Sequence, residues 1–280
     1  TDHTLELQTT GHSARCLYRQ HLHTGILSIM FSFVTPSARI RAGISCCALF
    51  GALSTWVPDS YAALTISSTR VVFDSDKRNV SLNVSNPSNK PFAVQTWVNT
   101  AADDQTTAVP FIASPPLFRL NASKEQQVQI NGLPNTLPRD RESLFYFNVQ
   151  ELPQLEVGDT NQLNIALRTR IKLFYRPAEI KSNPLDRLQD LRWSIQHIDG
   201  KPRLVVTNPS PFHVSFTRIE LLANGETVTL KDTPMAEPMA SQHFELDGLK
   251  PAPGMQVNFS VITDYGGFTT PMTLPVGLDS

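Results

Sequence analysis

The sequence predicts an all-β protein made of two successive sandwich domains, and three observations carry that prediction. From residue 63 onward the chain is a series of short apolar runs, several with strict alternation. Val80, Leu82 and Val84, for example, are interleaved with Ser81, Asn83 and Ser85, the period of two that buries one face of a strand. These runs are separated by turn residues, including Asn131-Gly132, Asp199-Gly200, Asn224-Gly225 and Asp247-Gly248, whose positive φ angles suit hairpins. Finally, 21 prolines against 13 glycines, with no long helix-period stretch, favour short strands joined by turns over helices.

The elements follow in order. Val80–Val84 reads as one strand, and Phe92, Val94, Thr96 and Val98 form the next across the polar turn 86–91. Val128 and Ile130 lead into the Asn131-Gly132 signal, and Leu144-Phe145-Tyr146-Phe147 is a fully apolar run suited to a buried strand. Two prolines and polar residues interrupt the pattern at 176–184. Leu185, Leu188 and Leu191 then space one helical turn, and strands resume at Trp193. The division is therefore a first domain at 63–181, a hinge at 182–185 and a second domain at 186–280, without a fixed-period repeat.

The first sixty residues do not read as fold. Residues 1–29 are an upstream extension whose scattered histidines and Cys16 lack metal-ligand spacing. Residues 30–62 have the order of a secretory leader. Met30 is followed by basic Arg39 and Arg41, an apolar run 42–53, and small residues Ser60 and Ala62 that place cleavage between Ala62 and Ala63. About a dozen apolar residues are too few for a permanent anchor, so no lasting membrane insertion is expected.

Composition and chemistry exclude much else. With 24 Lys+Arg against 25 Asp+Glu, the chain lacks the basic excess of a phosphate-neutralising nucleic-acid binder. All 3 cysteines precede residue 60, which removes thiol catalysis, Cys-based zinc sites and disulfides from the exported part. His197, His213 and His243 are far apart and read as surface or strand histidines. No nucleophile elbow, phosphate loop or dinucleotide fingerprint occurs, and the adjacent Asp103-Asp104 is no acid–base pair. No catalytic residue, metal or cofactor is expected.

Three stretches together carry a resemblance: Ser68-Thr69-Arg70-Val71-Val72-Phe73, the segment 137–148, and the segment 161–177 ending Arg170-Ile171-Lys172-Leu173-Phe174-Tyr175-Arg176-Pro177. They strongly resemble the periplasmic pilus-assembly chaperones of the chaperone–usher pathway, and Thr263-Asp264-Tyr265-Gly266-Gly267 extends the match into the second domain. The resemblance implies two immunoglobulin-like domains in an angled, L-shaped arrangement with a cleft between them. It also implies a periplasmic, non-enzymatic protein that binds, folds and caps pilin subunits by lending a strand and delivers them to an outer-membrane usher. Self-capping of the free chaperone remains open.

Site residues follow from the same resemblance. Arg70 and Lys172 match the cleft cations that grip a pilin's C-terminal carboxylate. Leu163, Ile165 and Leu167 alternate with Asn164, Ala166 and Arg168. On a closed sandwich that face would be ordinary core; the resemblance makes it the groove-filling face of the lent strand. Strict alternation puts Lys172 on the opposite face, which calls either for a bulge or for different roles of the two faces. Glu142, Arg176 and Asp264 match an interdomain charge network, and Pro91 and Pro115 fall where the family has its usher-gating prolines. The short 151–160 connection resembles the short-loop subgroup, and the second domain lacks the disulfide that some members carry. A pilin or adhesin is the competing structural reading, weakened by the missing cysteine pair; a glycan-active enzyme lacks a paired acidic motif.

Overall fold

The computed structural model describes residues 64–104, 106–152, 166–223, 225–246 and 251–278. The leader with Ala62 and Ala63, the donor positions Leu163 and Ile165, and the turn residues Asn224, Asp247 and Gly248 lie outside them. The described residues fall in one compact unit running from Ser60 to Ser280.

The first sandwich comprises β1 (Thr65–Ile66), β2 (Arg70–Asp74), β3 (Asn79–Ser85), β4 (Phe92–Asn99), β5 (Phe111–Ser114), β6 (Leu117–Leu120), β7 (Glu125–Gly132), β8 (Ser143–Leu152) and β9 (Arg168–Arg176). They form a sheet in the order β1-β3-β7-β5 and a sheet in the order β2-β9-β8-β4-β6. Alternation fills the space between the sheets. Val84, Val94, Val128, Ile130, Phe147 and Leu173 are fully buried there, and Phe111 meets Phe73 and Phe145 edge-on at 5.2 and 5.0 Å.

A short 3-10 helix, Leu185–Asp190, occupies the region of the three spaced leucines and buries Leu188. The second sandwich follows with β10 (Arg192–Ile198), β11 (Lys201–Asn208), β12 (Phe216–Ala223), β13 (Glu226–Thr229), β14 (Ala240–Glu245), β15 (Gln256–Val261) and β16 (Met272–Leu278). Its two layers are continuous. β16 pairs antiparallel with β15 and parallel with β10, so one seven-stranded sheet closes over its own core. Trp193 on β10 packs against Phe216, Phe244 and Phe259 at 5.5, 5.8 and 5.5 Å, which draws the layers together without a disulfide.

Two turn expectations have different outcomes. Asp199-Gly200 joins β10 to β11 with both φ angles positive, as expected of a two-residue hairpin. Asn131-Gly132 is not a turn: both residues belong to β7, and Asn131 pairs with Asn79. Gly132 is there for clearance, since a Cβ would stand 2.7 Å from Cζ of Phe73. The two sandwiches also share a corner that carried no fixed-period signal. Asn86-Pro87-Ser88 and Asn208-Pro209-Ser210 end corresponding strands, each with a buried asparagine. Asn86 Nδ2 donates to Lys90 O and Leu120 O, while Asn208 Nδ2 donates to Phe212 O and Glu237 O. In both corners the serine hydroxyl donates back to the asparagine Oδ1.

Candidate functional site

β9 is the element around which the site is arranged. One edge pairs antiparallel with β8 from Gln150↔Arg168 to Ser143↔Tyr175 without a register shift, and the amide of Glu151 continues the ladder to Leu167 O. No bulge separates Leu167 from Lys172. Leu167 falls on the parity of Ile171 and Leu173, which are buried in the sandwich, yet is itself 47% exposed. Arg168, Arg170, Lys172, Phe174 and Arg176 share the other parity, so the two faces have different roles and the alternation conflict disappears.

The other edge of β9 is only half covered. β2 pairs with it in parallel from Arg70↔Lys172 to Asp74↔Arg176. Among the described residues, no strand covers this edge at Arg168–Ile171. Because Glu151 and Leu167 form a hydrogen-bonded pair, the antiparallel pattern turns the backbone groups of Arg168 and Arg170 toward this open edge.

Arg70 and Lys172 stand where the open edge ends. The register pairs them directly, and neither is a solvated strand charge. Arg70 is 7% exposed, with its guanidinium carbon 5.7 Å from the Phe174 ring centroid and Nη1 donating to Ile262 O at 3.2 Å. Its Nε is buried without a hydrogen-bond partner. Lys172 Nζ reaches Ser215 Oγ at 3.3 Å and Met235 Sδ at 3.4 Å. Burial lowers the pKa of both, and for Lys172 the Arg70 charge lowers it further, while Asp264 and Glu142 partly offset the effect on Arg70. Two desolvated cations side by side with an orphan donor have the chemistry to accept an anion. Arg70 also lines a cavity of about 360 Å³ walled by residues of both sandwiches and of the hinge, among them Lys181, Pro184, Ser215 and Ile262.

The charge network assembles beside it. Arg176 donates to Glu142 Oε1 at 2.9 and 2.7 Å and to Asp264 at 2.7 and 3.1 Å, tying the first sandwich to the second. Burial opposes the Arg176 charge, but the bonds and charges of Asp264 and Glu142 prevail and raise its pKa. The Glu142 side chain is 2% exposed, so the small worth of an exposed ion pair does not describe this pair. Asp264 is the second residue of a tight turn in which the Gly266 amide donates to Thr263 O; at Gly266, with φ 81°, a Cβ would meet Thr69 Oγ1 of the first sandwich.

Sequence reasoning missed His213. It is neither a surface nor a strand residue: its amide and Nδ1 lie 2.8 and 3.1 Å from Glu142 Oε2, and its ring lies 5.3 Å from that of Phe174. Phe212 under Arg176 and Ser215 against Lys172 were missed as well, because ordinary loop residues carry no signal of the surface they will meet. The structure does not bring Pro91 and Pro115 into this cleft. Pro91 precedes β4, and Pro115 joins β5 to β6, where its carbonyl accepts from Thr96 Oγ1 at 2.7 Å. No metal-holding cluster of His, Cys, Asp or Glu occurs among the described residues, and no helix there is long and apolar enough to cross a membrane.

Residues 63–181 match the N-terminal domain of the PapD pili and flagellar-assembly chaperones, and residues 186–272 match the C-terminal domain of the PapD pili-assembly chaperones. The chain belongs to this family of pilus-assembly chaperones. It is 39% identical over 217 residues to the probable fimbrial chaperone YadV of Escherichia coli K12, covering 74% of this chain and 88% of that one. The crystal structure of YadV superposes with a TM-score of 0.67, at 37% identity, over 76% of this chain and 100% of the other. The Salmonella enterica SafB chaperone, solved in complex with the SafA pilin, superposes at 0.65 with 29% identity, over 78% and 98%.

Proposed function

We propose that the protein is a periplasmic chaperone that captures pilin subunits by donor-strand complementation, holds their C-terminal carboxylate on Arg70 and Lys172, and delivers them to an outer-membrane usher. The observation that carries this is the open edge of β9, which runs in line with β2 and ends at the two cations. An incoming strand parallel to β9 takes the backbone groups of Arg168 and Arg170, and its chain end arrives where Arg70 and Lys172 lie. The exposed Leu167, on the core-facing parity, supports a lent strand whose apolar side chains fill another protein's groove, with Leu163 and Ile165 preceding it. Glu142, Arg176 and Asp264 hold the two sandwiches around that cleft, and Pro91 and Pro115 on the first sandwich serve the usher. Export by the 30–62 leader, with the mature chain starting at Ala63, supplies the compartment.

Co-expression with a fimbrial subunit, followed by purification from a periplasmic extract, tests the reading. Wild type should yield a 1:1 complex. Lys172→Ala should lose subunit capture by about thirty-fold or more, because truncating one partner of a desolvated charge pair costs about 2–5 kcal/mol. Unchanged capture by Lys172→Ala would overturn the anchoring role.

A further inference from the structure

The face of β9 that bears Lys172 carries two further cations beside the open edge, Arg168 and Arg170, and one carboxylate, Asp103, stands against both. Asp103 is committed to the first of them. Arg168 binds both its oxygens, donates to Asn148 Oδ1 at 3.0 and 2.6 Å, and lies 5.0 Å above the Trp97 ring. Its bonds to Asp103, joined by Asn99 Nδ2 at 2.7 Å, hold the Asp103 carboxyl down at about 2, so the group is ionised and occupied.

Arg170 is left with much less. Its guanidinium lies 3.9 Å from the Tyr146 ring centroid, and Nη2 donates to Thr100 O at 2.6 Å. Its Nε approaches Asp103 Oδ1 only to 3.9 Å and is buried without a hydrogen-bond partner. The side chain keeps 26% of its surface exposed. Tyr146, Thr100 and, at 3.5 Å, Asn99 Oδ1 thus fix a guanidinium in place that shares its one nearby carboxylate, Asp103, with the more closely bound Arg168, two residues from Lys172.

We propose that Arg170 is a specificity-determining residue that selects, in the incoming strand, an acidic side chain close to the C-terminal end and on the face next to Arg170. The inference rests on the parallel-strand reading given above. A strand paired along Arg168–Ile171 places alternate side chains beside Arg168 and Arg170, because paired residues of neighbouring strands share a face. A carboxylate there meets a preorganised cation, whereas a lysine meets the Arg170 and Lys172 cations. Residues of the opposite parity face the apolar side of Ile171 and Leu167, where an acid is unfavourable.

The test uses the full mature chain and nine-residue synthetic peptides of alternating apolar residues with a free C-terminal carboxylate. A single Glu, Gln or Lys is moved through the last six positions. Glu should bind about three- to fivefold more tightly than Gln at alternate positions only, the range expected of a partly exposed charge pair, and the preference should fade with added salt. Arg170→Gln should equalise Glu and Gln, and Arg170→Glu should reverse the order in favour of Lys, with thermal midpoints confirming that both variants fold. Equal binding of Glu and Gln at every position, or a preference that survives Arg170→Glu, would overturn the proposal. C-terminally amidated peptides separate the two readings: if they bind as well as the free acids, carboxylate anchoring fails, while the Glu–Gln difference still reads Arg170.

Discussion

Lys172 carries a charge that its own surroundings disfavour. Burial and the neighbouring Arg70 both disfavour its charge in the free protein, so its folded pKa lies below that of an unfolded lysine. Between the lowered value and the ordinary one near 10.4, the unfolded chain binds more protons than the folded one, and stability therefore rises with pH across that window. Carboxylate capture should move the other way, because it needs the charged lysine. Urea midpoints and binding of a free-acid peptide, measured from pH 7 upward for wild type and Lys172→Met, read both effects. The difference in stability between the two proteins should shift toward wild type as pH rises, while peptide binding by wild type falls. Parallel curves for the two proteins would exclude Lys172 as the titrating group. The sequence identified Arg70 and Lys172 as residue types in a motif, but their burial, mutual repulsion and orphan Nε arise only when β2 is laid beside β9 and the second sandwich closes over them.

At the scale of the element, the strands were legible and some of their ends were not. Alternation located β3 and β4, and a continuous apolar run located β8, because both patterns are local properties of the chain. Asn131-Gly132 looked like a hairpin turn, yet β7 runs through it, since the glycine answers to the Phe73 ring across the core rather than to its chain neighbours. The paired Asn-Pro-Ser corners make the same point with a testable consequence. Asn208 is fully buried, and its amide serves the carbonyls of Phe212 and Glu237 and the amide and hydroxyl of Ser210. Asn208→Ala leaves these buried groups unsatisfied at about 1–3 kcal/mol each before relaxation, so the variant should lose about 3 kcal/mol in urea denaturation. A loss below about 1 kcal/mol would mean that water replaces the side chain and that the corner is not held by it.

Over the whole molecule, the joint between the sandwiches rests on Arg176 between Glu142 and Asp264, with His213 on the far oxygen of Glu142. Glu142 is the buried member and Asp264 the half-buried one, with side-chain exposures of 2% and 32%. Glu142→Ala removes the buried partner of Arg176 and leaves the His213 amide unsatisfied, and should cost about 3–5 kcal/mol; Asp264→Ala should cost less. A double-mutant cycle should show coupling, since both carboxylates act on one guanidinium. Additive losses, or a Glu142→Ala cost no larger than that of an exposed pair, would show that the network does not hold the joint.

The sequence by itself determined the all-β class, the strands β3, β4, β7 and β8 of the first sandwich, the interruption at 176–184 and the family, because alternation, turn chemistry and linear motifs are written along the chain. Only the tertiary structure decided that the second sandwich is one continuous sheet, that no described strand beyond β2 covers that edge of β9, that His213 joins the Glu142 network, and that Arg170 holds Asp103 only at 3.9 Å while Arg168 binds both its oxygens. Each of these depends on groups far apart in the chain being brought within a few ångströms. Burial and charge compensation are properties of that neighbourhood, and no local pattern of residues encodes them.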